Sequence, residues 1–299
     1  MVCTKDRPTD LAMMIPTVAA QQGPRFRCIV VDQSGDRTAN RVLFATLDDD
    51  RFVVIDDDRV GKSRALNTGL RATTAPIVAF TDDDCELPAG WLARAVAALD
   101  GDVGLAFGNV EAAGHDPSEY FIPTLEFDTD ETIEPGQILV PTLLGMGASM
   151  VVERSVVERI GGFDEMLGPG GVFYTGEDCE FAYRALRSGV AVRRVPSWKL
   201  IHHGRRTLDD DVARRLVVNS FFAIGVGYGK HVRHGDWRAA AISVVMIARN
   251  VAEMTTRLIR GRRPLHIRRF LAFVRGVGTG LRAGLEVPEI AAHQRESET

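Results

Sequence analysis

The chain has 299 residues, 45% hydrophobic and 25% charged, with a net charge of -4. Those values exclude a disordered, collagenous or disulfide-stapled chain and leave room for one large domain or two smaller ones. The 4 cysteines form no Cys-x-x-Cys pair and no secretory leader precedes them, which reads as reduced thiols in a cytosolic protein.

Residues 2–8, Val-Cys-Thr-Lys-Asp-Arg-Pro, read as the end of a strand and the turn after it; either this strand is short or its start lies upstream. A helix is predicted over 10–22, with Leu11, Met14, Ile15 and Val18 at helical spacing. Residues 26–32 form an apolar strand that ends on Asp32, followed by turn chemistry at 33–36. Residues 51–56 repeat that design. The next helix, 61–70, can turn Ala65, Leu66 and Gly69 to a sheet while Lys62, Arg64 and Asn67 face elsewhere. The apolar run 77–80 then ends in three carboxylates, Asp82, Asp83 and Asp84, and Pro88 opens a helix that continues to Leu99. A further strand follows at 103–109. Strands and helices alternating at this pace predict an α/β fold, with a mostly parallel sheet covered by helices on both faces.

From 111 to 142 the pattern loosens into an acidic surface excursion. Regularity returns with a small-residue turn feeding a strand at 145–152, a helix at 153–160, and Gly-Gly-Phe-Asp-Glu at 161–165. Residues 168–171 read as a mobile loop, 177–187 as a helix and 190–201 as a last strand, which runs into His202-His203-Gly204. The charge divides at this point. Residues 1–203 carry 19 Lys and Arg against 31 Asp and Glu, a net of -12; residues 204–299 carry 17 against 9, a net of +8. The basic part reads as amphipathic helices that either pack on the rest of the chain or lie on an anionic membrane. Its apolar stretches are too short to span a bilayer, which takes ~18–20 residues.

Three adjacent aspartates repel one another, and either water or a divalent cation must relieve them. Hard cations such as Mg²⁺ and Mn²⁺ take oxygen ligands, and the carboxyl edge of an α/β sheet is where such folds bind nucleotides. Gly176-Glu177-Asp178 heads a helix, where N–H groups and the dipole favour an ionised carboxylate able to act as a base.

In order and spacing these pieces resemble the family 2 glycosyltransferases, which have the GT-A fold. The resemblance covers residues 2–204 and rests on 3–8, Val-Val-Asp at 30–32, Gly-Lys-Ser-Arg-Ala-Leu-Asn at 61–67, Thr-Asp-Asp-Asp at 81–84, Gly-Gly-Phe-Asp-Glu at 161–165 and Gly-Glu-Asp at 176–178. It implies a GT-A catalytic domain over 1–204, with a nucleotide-sugar half (1–110) and an acceptor half (111–204), before a basic helical region (205–299). It also implies single-displacement, inverting transfer from a nucleoside-diphosphate sugar to an acceptor hydroxyl. Asp178 takes the place of the family's base and Glu177 that of its supporting neighbour. Thr4, Arg7, Asp32, Lys62, Arg64, Asn67 and Asp82 are implied on the nucleotide-sugar side, although Asp32 can equally cap its own turn. The metal, Mg²⁺ or Mn²⁺, falls to Asp83 and Asp84 with His202 or His203; if the histidine pair is extended, only one ring can face the site. The family's metal motif is usually Asp-x-Asp-Asp, and Thr81 stands at its first position here, which points to Asp83 as the direct ligand.

Docking of the basic helices on an anionic leaflet would hold the site near a lipid-linked acceptor at the cytoplasmic, inner face of the membrane, as in the making of cell-envelope polysaccharide, and no nucleic-acid partner is expected. Two other readings compete. A sugar-nucleotide nucleotidyltransferase needs a Gly-rich loop where this chain has Thr4-Lys5-Asp6-Arg7-Pro8. A non-catalytic protein of the same fold, binding sugar nucleotides or membranes, would have no use for the intact acids.

Overall fold

The structure, a computed structural model, describes residues 1–137, 144–207, 210–260 and 267–290. The first half alternates as expected: β1 (Val2–Thr4), α1 (Pro8–Ala19), β2 (Cys28–Asp32), α2 (Thr38–Leu47), β3 (Phe52–Asp56), α3 (Lys62–Arg71), β4 (Ile77–Asp82), β5 (Cys85–Glu86), α4 (Trp91–Ala97) and β6 (Val103–Ala112). β7 (Tyr120–Phe121) and β8 (Glu131–Ile133) lie in the acidic excursion, whose end at 138–143 is outside the described residues. β9 (Met150–Glu153), α5 (Arg154–Ile160), α6 (Glu177–Arg187), β10 (Ala191–His202) and β11 (Arg206–Thr207) follow. Three helices close the described chain: α7 (Asp210–Arg233), α8 (Trp237–Ile259) and α9 (Ile267–Gly280).

The main sheet runs β3-β2-β1-β4-β9-β6-β10-β5, with β8 paired to β10. From β3 to β4 it is parallel, because each strand returns through a covering helix. β9 breaks the pattern and pairs antiparallel with both β4 and β6, so the sheet is mixed where a mostly parallel one was expected. A chain leaving β6 without a crossover helix re-enters from the opposite edge, and the loose stretch after residue 111 supplies that return. β1 takes up Val2–Thr4 of the given chain and sits between β2 and β4. α1 starts at Pro8, two residues ahead of the expected start, since proline costs nothing at the first helical position.

Each sheet face has its own apolar layer. One gathers Leu11, Met14, Ile15, Trp91 and Trp198, and the other Leu66, Phe80, Phe107, Phe163 and Phe181. Phe163 stacks on Phe181 at 4.4 Å and meets Phe80 edge-on at 5.6 Å, which ties the 161–165 motif to α6 and β4. Residues 168–171, expected as a mobile loop, lie within a segment closed by Phe173 N–H to Met166 O and Gly168 N–H to Phe173 O.

α7 packs on α6, with Tyr228 and His231 against Tyr183. α9 lies along α7 at a separation that only glycine allows. A Cβ on Gly225, Gly229, Gly276 or Gly280 would stand 2.1–2.3 Å from a carbonyl oxygen of the other helix. Among the described residues no helix is long and apolar enough to cross a membrane.

Candidate active site

Register brings the ends of three parallel strands together. Thr4 stands opposite Asp32 and Cys3 opposite Asp82, so the carboxyl edge of the sheet carries Thr4, Asp32 and the acids after β4. Thr4 Oγ1 donates to Asp83 Oδ2 at 2.7 Å. Arg7 Nη1 lies 3.2 Å from Asp83 Oδ1 and 3.1 Å from Asp84 Oδ2. Burial pushes the Asp83 carboxyl up to about 6 against the opposing pull of Thr4 and Arg7. Burial acts on Asp84 in the same direction, but His202 and Arg7 outweigh it and hold this carboxyl at about 2.

β10 runs antiparallel to β5 with His202 opposite Cys85, and in an extended strand successive side chains point to opposite sides. The His202 ring therefore faces Asp84, with Nε2 3.1 Å from Oδ1, while the His203 ring faces Glu86 at 3.1 Å. His202 Nδ1 is 2.8 Å from the Pro123 carbonyl, which can only accept, so that nitrogen carries the hydrogen. Burial lowers the His202 imidazole, but Asp84 more than offsets this and raises it, so a proton is shared at Nε2; once it leaves, Nε2 presents a lone pair beside Asp84. Asp84 Oδ1 is buried, and among the described residues no hydrogen-bond donor is aligned on it. Gly204 leaves the space beside the pair open: a Cβ there would lie 2.5 Å from Asp84 Oδ2 and 2.7 Å from His202 Nε2.

An orphaned carboxylate oxygen facing an imidazole whose other nitrogen is anchored on a carbonyl is an arrangement that fits a cation with oxygen and nitrogen ligands. Asp84, Cys85 and His202 each offer an atom within 4.8 Å of the others. Burial pushes the Cys85 thiol well above its usual range, and a neutral thiol is a poor ligand for a hard cation. The sequence order put Asp83 first among the ligands. In the structure Thr4 and Arg7 occupy both Asp83 oxygens, and the histidine meets Asp84.

The other half of the site is a pocket lined by Lys62, Asp82, Gly147, Phe163, Glu177 and Asp178. Lys62 Nζ is 2.6 Å from Asp82 Oδ1 and 3.7 Å from Glu177 Oε1. Burial lowers its ammonium, but Asp82 and Glu177 more than offset this and raise it well above the usual lysine range. Burial, joined by the charge of Asp178, pushes Glu177 up to about 7. Asp178 is half-buried, and both its oxygens accept backbone N–H groups: Oδ2 from Gly147 at 2.8 Å and Oδ1 from Cys179 at 2.7 Å. It heads α6, which starts at Glu177 as the sequence indicated.

The remaining sequence candidates surround this centre without pointing into the pocket. Asp32 accepts from Ser34 N–H and from Asn40 Nδ2, both at 2.8 Å, so it caps its own turn and holds α2. Arg64 pairs with Glu165 at 3.3 Å. Asn67 is buried and spends its amide on the Phe163 backbone, donating at 2.9 Å and accepting at 2.7 Å. With Ser63 donating to Leu167 O and Lys62 N–H to Pro169 O, α3 is stitched to the 161–171 segment along its length. Sequence reading missed Gly147 and Pro123 as partners. Both act through the backbone, which leaves no side-chain signature beyond the small-residue turn at 145–149.

A mixed sheet covered by helices, with acids at the end of β4, a histidine beside them at the end of β10 and a carboxylate heading α6, has the α/β architecture of the GT-A fold. The chain belongs to the family described as Glycosyl transferase family 2, whose profile matches residues 1–161. It is 29% identical over 183 residues to the glycosyltransferase AglE of Haloferax volcanii, covering 58% of this chain and 56% of that protein. It is 26% identical over 249 residues to the pre-mycofactocin glycosyltransferase of Mycobacterium tuberculosis, covering 78% of this chain and 50% of that protein. The chain thus spans about half the length of these relatives. In fold it is similar to the mannosyltransferase PcManGT from Pyrobaculum calidifontis, solved with GDP-Man and Mn²⁺: TM-score 0.59, 19% identity, 94% of this chain and 85% of that one. It is also similar to S. aureus TarS 1-349, solved with UDP-GlcNAc: TM-score 0.56, 16% identity, 76% of this chain and 65% of that one.

Proposed function

We propose that this glycosyltransferase moves a hexosyl group, with inversion, from a nucleoside-diphosphate sugar to an acceptor hydroxyl. The observation that carries the reading is Asp178. Its two oxygens are held by backbone N–H groups, and it opens onto the pocket that contains Lys62 and Asp82. In that position the carboxylate takes the proton of the acceptor hydroxyl as the hydroxyl oxygen bonds to the anomeric carbon. The bond from that carbon to the diphosphate oxygen breaks on the opposite side, and the nucleoside diphosphate leaves with the electron pair.

Charge develops on the leaving diphosphate, and Lys62 and Arg7 are the cations placed to meet it. Asp84 and His202, with Asp83 beside them, would hold Mg²⁺ or Mn²⁺. Bound there, the cation supplies Lewis-acid stabilisation of the leaving diphosphate. Glu177 keeps Lys62 and Asp178 apart and in place, while Asn67 and Arg64 hold the 161–165 motif against α3. Thr4 orients Asp83, and Asp32 shapes the turn beside the nucleotide. Fold neighbours solved with GDP-Man and with UDP-GlcNAc support a nucleotide-sugar donor. In this reading residues 1–204 form the catalytic domain, with a nucleotide half (1–110) and an acceptor half (111–204), and residues 205–299 a helical region. The acceptor is presented at the inner face of a membrane, as in cell-envelope polysaccharide assembly.

The test is turnover of radiolabelled UDP- and GDP-sugars with Mn²⁺ and with EDTA, followed by NMR of the anomeric configuration of the product. Release of sugar from one donor only with metal, with inverted configuration, is expected. Full activity in EDTA, or retained configuration, would overturn the corresponding part of the mechanism.

A further inference from the structure

We infer that the outward faces of α8 and α9 form the surface by which this protein docks on an anionic lipid leaflet. The inference rests on the proposed placement at a membrane and names the residues that achieve it.

α9 has three distinct faces. Ala272, Phe273, Gly276 and Gly280 are buried against α7. On the opposite side Ile267, Val274 and Leu281 recur every seven residues, with Leu271 between them, and all four are exposed, Leu271 by 51%. Arg268, Arg275 and Arg282 follow one residue behind, also every seven residues and also exposed. No acid occurs between 267 and 282. A helix therefore presents one apolar stripe and one guanidinium stripe side by side on its free surface.

α8 repeats the apolar stripe, without the row of arginines. Trp237, Val244, Val251 and Leu258 stand seven residues apart and are exposed by 59, 64, 43 and 60%, and Ile259 by 81%. Its buried side, Ala239, Ile242 and Ser243, is confined to the first two turns; none of residues 244–260 is buried. A helix with this much uncovered apolar surface needs an occupant for it.

Charge selects the occupant. The region after Gly204 is net +8 and the rest of the chain net -12, so only the helical side is attracted to an anionic surface. A bilayer accepts an apolar stripe to a depth of about 5–10 Å while arginines beside it reach the headgroups, and a tryptophan at the end of the stripe suits that interface. A second copy packed antiparallel through the same stripe by two-fold symmetry would set the arginine rows side by side. No described helix is long and apolar enough to span, so the contact is a seat on the surface.

The chain contains its own reporter. Of its 3 tryptophans, Trp91 and Trp198 are buried, and Trp237 lies on the proposed face. The experiment adds the full chain at low salt to vesicles of phosphatidylcholine alone or doped with phosphatidylglycerol, and reads co-sedimentation and tryptophan emission. Binding to the doped vesicles only, a blue shift absent from Trp237→Phe, and release by salt are expected. The triple variant Arg268→Gln/Arg275→Gln/Arg282→Gln should bind on the order of a hundredfold more weakly, since each basic residue near an anionic leaflet contributes about fivefold. Leu271→Glu/Val274→Glu should not bind while melting as the parent does, because both side chains are exposed. Equal partition onto neutral vesicles, or none onto either, overturns the inference. So does a dimer in sedimentation velocity that Leu271→Glu/Val274→Glu dissolves, which would assign the face to self-association. Because vesicle binding is read without donor or turnover, failure of the catalytic reading would leave this result standing, and the reverse also holds.

Discussion

Glu177 and Asp178 are adjacent carboxylates in different surroundings, and the difference underlies the roles proposed for them. Glu177 is buried beside Lys62 and pushed up to about 7, whereas Asp178 is half-buried with both oxygens on backbone N–H groups. Asp178→Asn keeps the shape and removes the proton acceptor. It should lower kcat by ~10²–10⁴ and leave donor affinity near the parent value; donor affinity falling at unchanged kcat would place Asp178 in binding instead. At the proposed metal ligands, Asp84→Asn and His202→Gln should each weaken Mn²⁺ binding by about 10–100-fold, read by calorimetry with nucleoside diphosphate present. His203→Gln should leave it unchanged, because that ring faces Glu86. Equal losses at both histidines would contradict the geometry.

The joints between elements rest on buried charge and on backbone proximity. In the α6–α7 joint, Glu180 Oε1 meets Arg184 Nε at 2.7 Å and His231 Nε2 at 3.0 Å. Burial alone would raise the Glu180 carboxyl, but Arg184 and His231 outweigh it and lower it to about 2. The unfolded chain then binds protons before the folded one does, so this stabilisation is present above the ordinary glutamate range and is lost as pH falls towards 2. It amounts to roughly 3 kcal/mol for a shift of this size. Melting followed from pH 6 downward should show that loss, and Glu180→Gln, less stable at pH 6, should show a shallower one. Along the α7–α9 joint, Gly276→Ala would place a Cβ 2.1 Å from Phe222 O. The helices must separate, at a cost of about 1–3 kcal/mol, whereas Gly278→Ala meets nothing within 4 Å and should be neutral. Calorimetric melting of the two variants separates these outcomes.

Across the whole molecule, α7 is bound to the catalytic part by a fully buried pair, Lys230 Nζ to Asp164 Oδ2 at 2.6 Å, with the ammonium over the Phe173 ring. Asp164 belongs to the 161–165 motif, so α7 braces a segment of the candidate active site. Lys230→Met should cost roughly 3–5 kcal/mol by leaving Asp164 charged and unpaired. Lys230→Met/Asp164→Asn should recover most of that, as measured by urea unfolding. A Lys230→Met protein as stable as the parent would show that the pair contributes little.

Much of this was legible in the chain itself, where local chemistry decides. Apolar runs that stop at Asp32 and Asp82 must be strands ending at a polar edge, and acids behind Gly176 must head a helix, because burial and helix termini impose those choices on a few neighbouring residues. The basic, stripe-bearing helices after Gly204 were visible for the same reason: helical period and charge are local properties. Long-range register decided the rest. Which histidine meets the acids depends on β10 pairing with β5. That Asp84 faces the histidine while Asp83 is spent on Thr4 and Arg7 depends on β1 lying beside β4. Asn67 turned inward because the 161–171 segment returns over α3 from about a hundred residues away. No local pattern encodes those pairings, since each is set by which strand or segment becomes the neighbour once the sheet has closed.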